Sequence, residues 1–258
     1  MLHIEYMDYV TLPQRDDGFG AQFLNIYRAL VFVEDANKSF LFMGIKSMIS
    51  HSTDDSNRQY IDKIVDYMNI RQYYLTEADI RNGSTIHFLP DVCTFYHMFC
   101  SRFEELHQSY SFIKYKKIFM SDKVNPYDTQ FCNVAIHIRK EDKFLNQGEG
   151  RTIPDFSDEY YSNFCKQIRA NYKGEKSLKF HIYSIGDERV FDYLKNDDVI
   201  LHVNEDMLDT FTGFVFADVL LISHSCLSYT AAFFNNGVIF YKYWNHLHPG
   251  LQAWKLYN

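Results

Sequence analysis

Residues 131–143 read FCNVAIHIRKEDK, a hydrophobic run that changes abruptly into five consecutive charged residues beginning at Arg139. Aromatic and β-branched residues favour a β-strand, and the run contains Phe131, Val134, Ile136 and Ile138. In open α/β sheets, ligands bind beyond the carboxyl ends of the strands. Charged residues at this point are therefore typical of a binding site in an α/β protein.

Side chains at this strand end share one side of the chain. His137, Arg139 and Asp142 form a His-x-Arg-x-x-Asp pattern, and alternate residues of an extended chain point to the same side, so His137 and Arg139 lie together. A guanidinium there can bind a phosphate through two parallel hydrogen bonds. Solvated charges at the end of an ordinary strand explain the spacing equally well, so the rest of the chain has to decide.

The composition is that of a globular protein with a sizeable core. The chain has 258 residues, of which 47% are hydrophobic and 23% charged. That length suits two Rossmann-sized halves of about 120 residues each, or one large domain. The net charge of −7, from 26 basic and 33 acidic residues, argues against nucleic acid as a partner.

Cysteine usage and hydropathy predict the compartment. The five cysteines are odd in number and lie in apolar or helical contexts, which favours reduced thiols. No apolar run approaches about 18 residues, and the first residues lack a basic region followed by an apolar stretch. We therefore expect a cytoplasmic protein without a signal peptide or a membrane span.

A glycine turn opens the first predicted helix. Gly18-Phe19-Gly20 follows a predicted strand, Leu2–Val10. Glycine lets a backbone pass close to a ligand, and a helix N-terminus favours an anion; a plain tight turn is the alternative. Apolar residues repeat at helical spacing along one predicted face of this helix: Phe19, Phe23, Ile26, Leu30 and Val33.

The rest of the first half contains further predicted elements. We expect strands at Ser39–Ile45 and Thr85–Phe88, helices at Arg58–Ile70 and Asp91–Tyr110, a basic cluster within Lys114–Asp128, and a hinge near Pro126.

Strands and helices alternate in the second half, which predicts a parallel, doubly wound sheet. After the opening strand we expect strands at Lys179–Ile185, Val199–Val203, Val219–Ile222 and Val238–Tyr241. We expect helices from near Ser157, at Glu188–Lys195, Met207–Phe216 and Leu227–Asn235, and within Trp244–Asn258.

Residues 223–228, SHSCLS, lie between a predicted strand and a predicted helix. Hydroxyl groups, backbone N–H groups and a helix dipole suit a phosphate. An ordinary N-cap needs only one serine, so the repeated serines favour a ligand site.

Three possible metal ligands, Cys93, His97 and Cys100, share one face of a predicted helix. No fourth ligand follows them, and their aromatic neighbours favour packing. No metal site is therefore predicted.

Three stretches in this order resemble one enzyme family: residues 18–23 (GFGAQF), 134–142 (VAIHIRKED) and 217–229 (ADVLLISHSCLSY). Together they resemble the α-1,2- and α-1,6-fucosyltransferase superfamily, GT-B enzymes that use GDP-fucose. The resemblance implies an α/β, GT-B-like fold with two Rossmann-like halves facing a cleft. We expect an acceptor-side half at 1–126, a nucleotide-sugar-binding half at 127–243, and a segment at 244–258 that crosses back to the first half.

The resemblance also implies donor contacts. Arg139 would hold the β-phosphate with Lys140 adding charge, and His137 and Asp209 would face the base. Ser225 and Cys226 would meet the phosphates. The remaining donor contacts would come from Gly18, Phe19, Gly20, Asp187 and Leu227. A fixed cation suits a departing diphosphate on physical grounds as well, and the sequence contains no Asp-x-Asp, in agreement with metal-free GT-B chemistry.

The sequence departs from the family at the donor contacts. Arg139-Lys140 stands where the family usually has two arginines, and Ala21 where Asn commonly precedes the glutamine. Ser225-Cys226 replaces a serine pair, and Leu227 replaces an aromatic residue or glutamine. These changes leave the sugar and the base of the donor open.

An inverting transfer needs a base for the acceptor hydroxyl. In the α-1,6 enzymes a Glu follows the arginine motif and precedes a Pro by five, and here Glu149 precedes Pro154 by five. The rival is Asp17, where a protein O-fucosyltransferase relative carries an acid. Asp142 is predicted to be structural.

We therefore expect an inverting, metal-independent glycosyltransferase that binds a nucleotide-sugar donor and a glycan acceptor. Transfer of L-fucose from GDP-fucose is the leading hypothesis. The same scaffold with UDP- or GDP-linked xylose or rhamnose is the alternative. A non-catalytic module that binds nucleotide or glycan is a third, which the replacements at Lys140, Cys226 and Leu227 allow.

Overall fold

A computed structural model of the chain describes residues 8–13, 17–45, 58–71, 85–139, 156–244 and 248–258. The described residues form two compact units. Unit 1 draws on Met1–Lys123 and Asn245–Leu251, and unit 2 on Val124–Trp244 and Gln252–Asn258. The predicted domains, 1–126, 127–243 and 244–258, differ in their bounds from these two units and remain a prediction.

Unit 1 is built on a parallel three-stranded sheet in the order β2-β1-β3. Its central helix, α1, buries the five apolar residues predicted for its inner face, so this prediction is confirmed. The strands are β1 (Asp8–Thr11), β2 (Ser39–Phe40) and β3 (Thr85–Phe88), and the helices are α1 (Phe19–Asp35), α2 (Arg58–Tyr67), α3 (Val92–Cys100), α4 (Phe103–Gln108) and α5 (Tyr110–Met120).

The helix predicted at Asp91–Tyr110 was wrong in its continuity. It breaks at Arg102, which has φ −120° and ψ 25° and precedes α4. A new helix, α5, then begins after Ser109, whose hydroxyl accepts a hydrogen bond from the backbone N–H of Phe112 at 3.2 Å. The serine competes for the backbone as an N-cap. The predicted helix is therefore two shorter helices, α3 and α4, and α5 begins at its last predicted residue, Tyr110.

Unit 2 contains a parallel six-stranded sheet in the order β6-β5-β4-β7-β8-β9. Its parallel pairing, with that of unit 1, confirms the predicted α/β class. The elements are β4 (Phe131–His137), α6 (Asp158–Asn171), β5 (Ser177–Ser184), a 3₁₀ helix (Glu188–Leu194), β6 (Val199–Val203), α7 (Met207–Phe216), β7 (Val219–Leu221), α8 (Cys226–Phe234), β8 (Val238–Tyr241) and β9 (Lys255–Leu256).

The core of unit 2 lies around β4. Ile136 is paired in register with Ile182 of β5 and Leu221 of β7, and all three side chains are fully buried. Burial of each such side chain contributes about 1.5–3 kcal/mol. β4 is therefore anchored on both sides, which fixes the position of the residues that follow it.

Two predictions for this half need correction. The helix predicted within Trp244–Asn258 was wrong for the described residues of that stretch, which add the short strand β9 to the sheet instead. The segment Glu188–Leu194 is a 3₁₀ helix, the tighter form that is used in short pieces.

The strand order places a topological switch point between β4 and β7. Numbered within unit 2, the order is 3-2-1-4-5-6, the arrangement of dinucleotide-binding sheets. The chain leaves β4 towards β5 on one side and leaves β7 towards β8 on the other. Ligands in such sheets bind in the crevice at the carboxyl ends of these two strands.

Among the described residues, no helix has the length and apolar character needed to span a bilayer.

Candidate active site

Arg139 stands at the carboxyl end of β4 on a fixed backbone. The N–H of Ile138 donates to the carbonyl of Tyr183 at 3.0 Å, and the hydroxyl of Ser184 donates to the carbonyl of Ile138 at 2.7 Å. The Arg139 side chain is half-buried, and its Nη1 donates to the carbonyl of His224 at 2.9 Å. The guanidinium thus bridges the switch point from the end of β4 to the loop that follows β7.

That loop delivers the N-terminus of α8 to the same place. Ser225 is the N-cap of this helix, and its hydroxyl accepts from the backbone N–H of Leu227 at 3.3 Å. The backbone N–H of Ser225 donates to the carbonyl of Ser223 at 2.8 Å. Cys226 and Leu227 form the first turn and are half-buried. A helix N-terminus beside a guanidinium is a favourable environment for an anion.

His137, the last residue of β4, is a buried neutral imidazole. Burial, together with the nearby charge of Arg139, lowers its pKa from 6.5 to about 3. Its Nδ1 lies 2.8 Å from the hydroxyls of both Ser223 and Ser228, and its ring centroid lies 5.0 Å from that of Phe214. The serines fix the ring through Nδ1, and within the described part of the chain Nε2 has no hydrogen-bond partner.

The ring of His224 lies in an aromatic cluster at the ends of β7 and β8. It stacks on Trp244 with centroids 5.6 Å apart and an interplanar angle of 8°, and it meets the Phe156 ring at 4.7 Å. Burial and the charges of Lys242 and Arg139 lower the pKa of His224. The imidazole is therefore neutral at neutral pH, and its stacking holds the carbonyl that receives Arg139.

The two predicted aspartates of unit 2 lie at the start of the 3₁₀ helix and in the first turn of α7. Asp187 follows β5 and caps the 3₁₀ helix, accepting from the backbone N–H of Arg189 at 2.9 Å, and its carboxylate also pairs with the Arg189 guanidinium, which lowers the pKa of Asp187 to about 2. Asp209 is exposed in the first turn of α7, the helix whose Phe214 contacts His137. Their donor-binding roles stay predictions.

The glycine turn of unit 1 is a well-formed helix start. The carbonyl of Gly18 accepts from the N–H groups of Ala21 and Gln22 at 3.1 Å, and the Gln22 amide donates to the carbonyl of Asp17 at 2.7 Å. Phe19 is 2% exposed and Gly20 is buried. The Phe19 ring packs in the core, so only its backbone can meet a ligand.

Two predicted site residues, Lys140 and Glu149, lie outside the described residues, as does Asp142. Of the predicted set, the structure brings His137, Arg139, Ser225, Cys226 and Leu227 together around the ends of β4 and β7. Asp17, Gly18, Phe19 and Gly20 form a separate group at the start of α1 in unit 1.

The chain is similar to solved structures of fucosyltransferases. NodZ α-1,6-fucosyltransferase soaked with GDP-fucose is 10% identical, with a TM-score of 0.45 over 90% of this chain and 93% of that one; a fucosyltransferase NodZ structure from Bradyrhizobium matches as well. POFUT1 in complex with GDP-fucose is 10% identical, with a TM-score of 0.47 over 98% of each chain. FUT1 from Arabidopsis thaliana in complex with GDP is 9% identical, with a TM-score of 0.47 over 95% of this chain and 72% of that one.

No protein-family model matches the chain, and no curated protein matches it. At identities near 10% and TM-scores below 0.5, we take these likenesses as similarities only.

Lys242 is a candidate site residue that the sequence reasoning missed. It directly follows β8, next to β7 in the sheet, and its Nζ lies 5.1 Å from the Phe156 ring centroid and 5.4 Å from that of Tyr160. A cation immediately after the hydrophobic strand VIFY is the same signal that identified Arg139. Ser228 belongs to the predicted stretch 223–228, but its buried contact with His137 was not predicted, because it joins residues far apart in the sequence.

Proposed function

We propose that the chain is an inverting, metal-independent glycosyltransferase that transfers L-fucose from GDP-fucose to a glycan hydroxyl. The observation that carries the proposal is the position of Arg139, which bridges the ends of β4 and β7 by its 2.9 Å bond to the carbonyl of His224. Switch points of this strand order bind nucleotides. The fucose donor rests on the motif resemblance of residues 134–142 and 217–229.

Glycosyl transfer from a nucleotide sugar requires positive potential beside the diphosphate, which the proposal places at the ends of β4 and β7. The bond from the sugar C1 to the β-phosphate oxygen breaks, and its electron pair stays on the diphosphate. The acceptor hydroxyl forms the new bond to C1 from the opposite face and loses its proton to a base, which inverts the configuration. Arg139 and the N-terminus of α8 stabilise the growing negative charge more than the ground state, and this lowers the barrier.

His137 adds a polar contact without adding charge. Its pKa of about 3 keeps the ring neutral, and the serines at Nδ1 fix its orientation. We assign its Nε2 a hydrogen bond to the donor, with Asp209 of α7 directed to the base. Lys242 and Arg139 supply the positive charge at the diphosphate that a metal ion supplies in metal-dependent transferases.

The acceptor base is Glu149 or Asp17 in this proposal. The carbonyl of Asp17 holds Gln22 at the start of α1, so the backbone of this residue is fixed. Variants Glu149→Gln and Asp17→Asn separate the two candidates, because only the base should lose transfer while retaining donor binding.

Calorimetric titration of the full chain with GDP, UDP and ADP in EDTA tests the donor. We expect GDP to bind at least tenfold more tightly than the other two, and GDP-fucose to be hydrolysed slowly without metal. Tighter binding of UDP would support the alternative of another nucleotide sugar, which the replacement residues Cys226 and Leu227 at the start of α8 favour. GDP binding without any hydrolysis or transfer would support a non-catalytic module.

A further inference from the structure

A row of hydrogen-bonded side chains crosses three neighbouring strands of unit 2. His181 of β5 lies between Asn133 of β4 and His202 of β6. Its Nε2 lies 3.1 Å from Oδ1 of Asn133, and its Nδ1 lies 2.9 Å from Nε2 of His202. The Nδ1 of His202 lies 2.7 Å from Oε1 of Glu205, in the loop before α7. We call these four residues the histidine clasp.

Both ends of the histidine clasp present hydrogen-bond acceptors to the rings. Carboxylates are ionised at neutral pH and have no hydrogen to donate, so Glu205 accepts from Nδ1 of His202. At the other end, Nδ2 of Asn133 donates to the carbonyls of Asp128 at 3.0 Å and Phe131 at 3.3 Å. These two carbonyls fix the amide orientation and turn Oδ1 towards His181, which therefore donates from Nε2.

The two facing nitrogens then need one more hydrogen. A neutral imidazole carries a single N–H, and each ring already uses its own at one end of the clasp. Without a further proton, Nδ1 of His181 and Nε2 of His202 would oppose two lone pairs at 2.9 Å. One added proton converts this contact into an N–H···N hydrogen bond and satisfies all four ring nitrogens, which matters because buried polar atoms without partners cost free energy.

The surroundings of the two rings place this proton on His202. His181 is 6% exposed, and burial, followed by the charge of His202, lowers the pKa of His181 to about 3. The side chain of His202 is 18% exposed and directly contacts the carboxylate of Glu205. His202 is therefore the ring that carries both N–H groups, and Glu205 balances its charge.

The tyrosines that pack on the histidine clasp are neutral. The ring of Tyr127 packs on His181 and that of Tyr183 on His202, each with centroids 4.4 Å apart. Burial raises the pKa of both tyrosines. Three further charged groups act on the clasp or on residues that touch it: Lys179, Asp209 and Asp218. Among the described charged side chains, only that of Glu205 bonds directly to either ring.

The distance between the facing nitrogens suits a proton better than a metal ion. Zinc binds imidazole nitrogens at about 2.0–2.1 Å, which places two of them about 3.3 Å apart in tetrahedral geometry. The 2.9 Å between His181 and His202 is instead an ordinary hydrogen-bond length. Within the described ranges, no group of three or more His, Cys, Asp or Glu side chains is arranged to hold a metal.

We propose that His181 and His202 share one extra proton at and above neutral pH, and that this proton closes a pH-sensitive clasp between β4, β5, β6 and the loop before α7. When the proton leaves at higher pH, two N–H groups remain for three hydrogen bonds, and the clasp opens at one of them. The proposal concerns unit 2 by itself and does not depend on the transferase activity.

NMR of the full chain labelled with nitrogen-15 in its histidines tests the protonation. At pH 7.5, one unit above the ordinary histidine pKa of about 6.5, we expect His202 to have both nitrogens protonated and His181 to be neutral with its proton on Nε2. The His202→Gln variant identifies the His202 signals by their loss. Two neutral rings at pH 7.5 would overturn the proposal, as would bound zinc whose removal by EDTA changes these signals.

Two matched substitutions test the counter-ion. Glu205→Gln keeps an oxygen for Nδ1 of His202 and removes only the charge, so the clasp should bind its proton about threefold less tightly, the usual effect of a half-exposed ion pair. Glu175→Gln, at an exposed acid before β5, should leave proton binding unchanged. Equal effects of the two substitutions on the NMR pH titration would contradict the assignment of Glu205.

Asn133→Leu tests the hydrogen count itself. Without the acceptor at Nε2, the ring of His181 is free to donate from Nδ1, so the two rings need only two N–H groups. We expect the doubly protonated ring to be absent from folded Asn133→Leu at pH 7.5, with folding checked by circular dichroism. Its retention in the folded variant would refute the proposal, and if the variant does not fold, the comparison of Glu205→Gln with Glu175→Gln decides.

Discussion

The guanidinium of Arg139 and the carbonyl oxygen of His224 are joined by a 2.9 Å hydrogen bond between the ends of two neighbouring strands. Both ends of this bond are held by further contacts. Ile138 is tied to β5 through its N–H and its carbonyl, and the His224 ring is stacked on Trp244. A preorganised cation costs little reorganisation when charge develops beside it.

Removal of this cation should abolish most turnover. We expect Arg139→Ala to reduce kcat by about 10²–10³-fold, the usual loss for one preorganised donor. Arg139→Lys should recover only part, because a lysine cannot reproduce the planar fork. Steady-state kinetics with GDP-fucose, or with the donor that titration selects, measures this. Arg71→Ala, at an exposed arginine paired with Asp66 in unit 1, should keep the native rate; an Arg139→Ala variant as active as this control would refute the assignment.

Lys242 should contribute less than Arg139. We expect Lys242→Gln to weaken GDP binding about threefold to fivefold, the effect of one half-buried charge, with a smaller salt dependence. Lys255→Gln is a matched control, because Lys255 also lies over an aromatic ring, 5.5 Å from the centroid of Phe240, but belongs to β9. Calorimetry at low and high salt measures both, and equal losses would exclude a specific role for Lys242.

Ser225 should serve both the helix and the ligand. Ser225→Ala removes an N-cap, which costs about 1 kcal/mol of stability, and it should also weaken GDP binding. Ser157 caps α6 in the same way, accepting from the N–H of Tyr160 at 3.2 Å. Ser157→Ala should therefore lose similar stability in urea unfolding but retain native GDP affinity. Loss of affinity in both variants would mean that the effect is only structural.

Stability should fall as the pH drops below neutrality. Burial is the main cause that lowers the pKa of His107, His137 and His181 from 6.5 to about 3. Between these values the unfolded chain binds protons that the folded chain does not. Their contribution is therefore complete above the unfolded pKa of 6.5 and is lost as the pH falls towards 3.

Each of these histidines should add about 1.4 kcal/mol per pH unit to the slope of stability in that window. Urea unfolding at several pH values measures it. His181→Gln should remove one proton from the slope. A slope that His181→Gln leaves intact would contradict the lowered pKa of His181.

Gly213 should tolerate no side chain. A Cβ at this position of α7 would collide with the hydroxyl of Tyr183 and approach that of Tyr127 to 3.0 Å. Tyr127 also donates to the Gly213 carbonyl at 2.9 Å. We expect Gly213→Ala to destabilise unit 2 by about 1–3 kcal/mol, and Tyr183→Phe in the same chain to restore part of this in thermal unfolding. No loss in Gly213→Ala would show that α7 can move away from β5.

Elements with a strong period could be predicted from the sequence. Met207–Phe216, Val199–Val203, Thr85–Phe88 and Val238–Tyr241 have the predicted bounds, because a hydrophobic face or run defines each of them. α5 was missed because its lysines were interpreted as a basic cluster, although Phe112, Tyr115 and Phe119 form its buried face. β9 has two residues, too few to show any period, and only its pairing with β8 makes it a strand.

The site was predictable only where one segment carries it. His137 is the last residue of a strand and Arg139 follows that strand, so their placement could be predicted from local sequence. The serines that hold His137 and the carbonyl that holds Arg139 come from the loop and helix after β7, and their register with β4 depends on strand order. That order is decided by packing between distant residues, which no local pattern reports.

Residues 245–251 belong to unit 1, although the chain on both sides of them belongs to unit 2. A single proteolytic cut after residue 123 therefore does not yield two complete halves, because the larger fragment still carries a piece of the smaller one's fold. Coexpressed as separate polypeptides, 1–123 and 124–258 should copurify and reconstitute as a split protein.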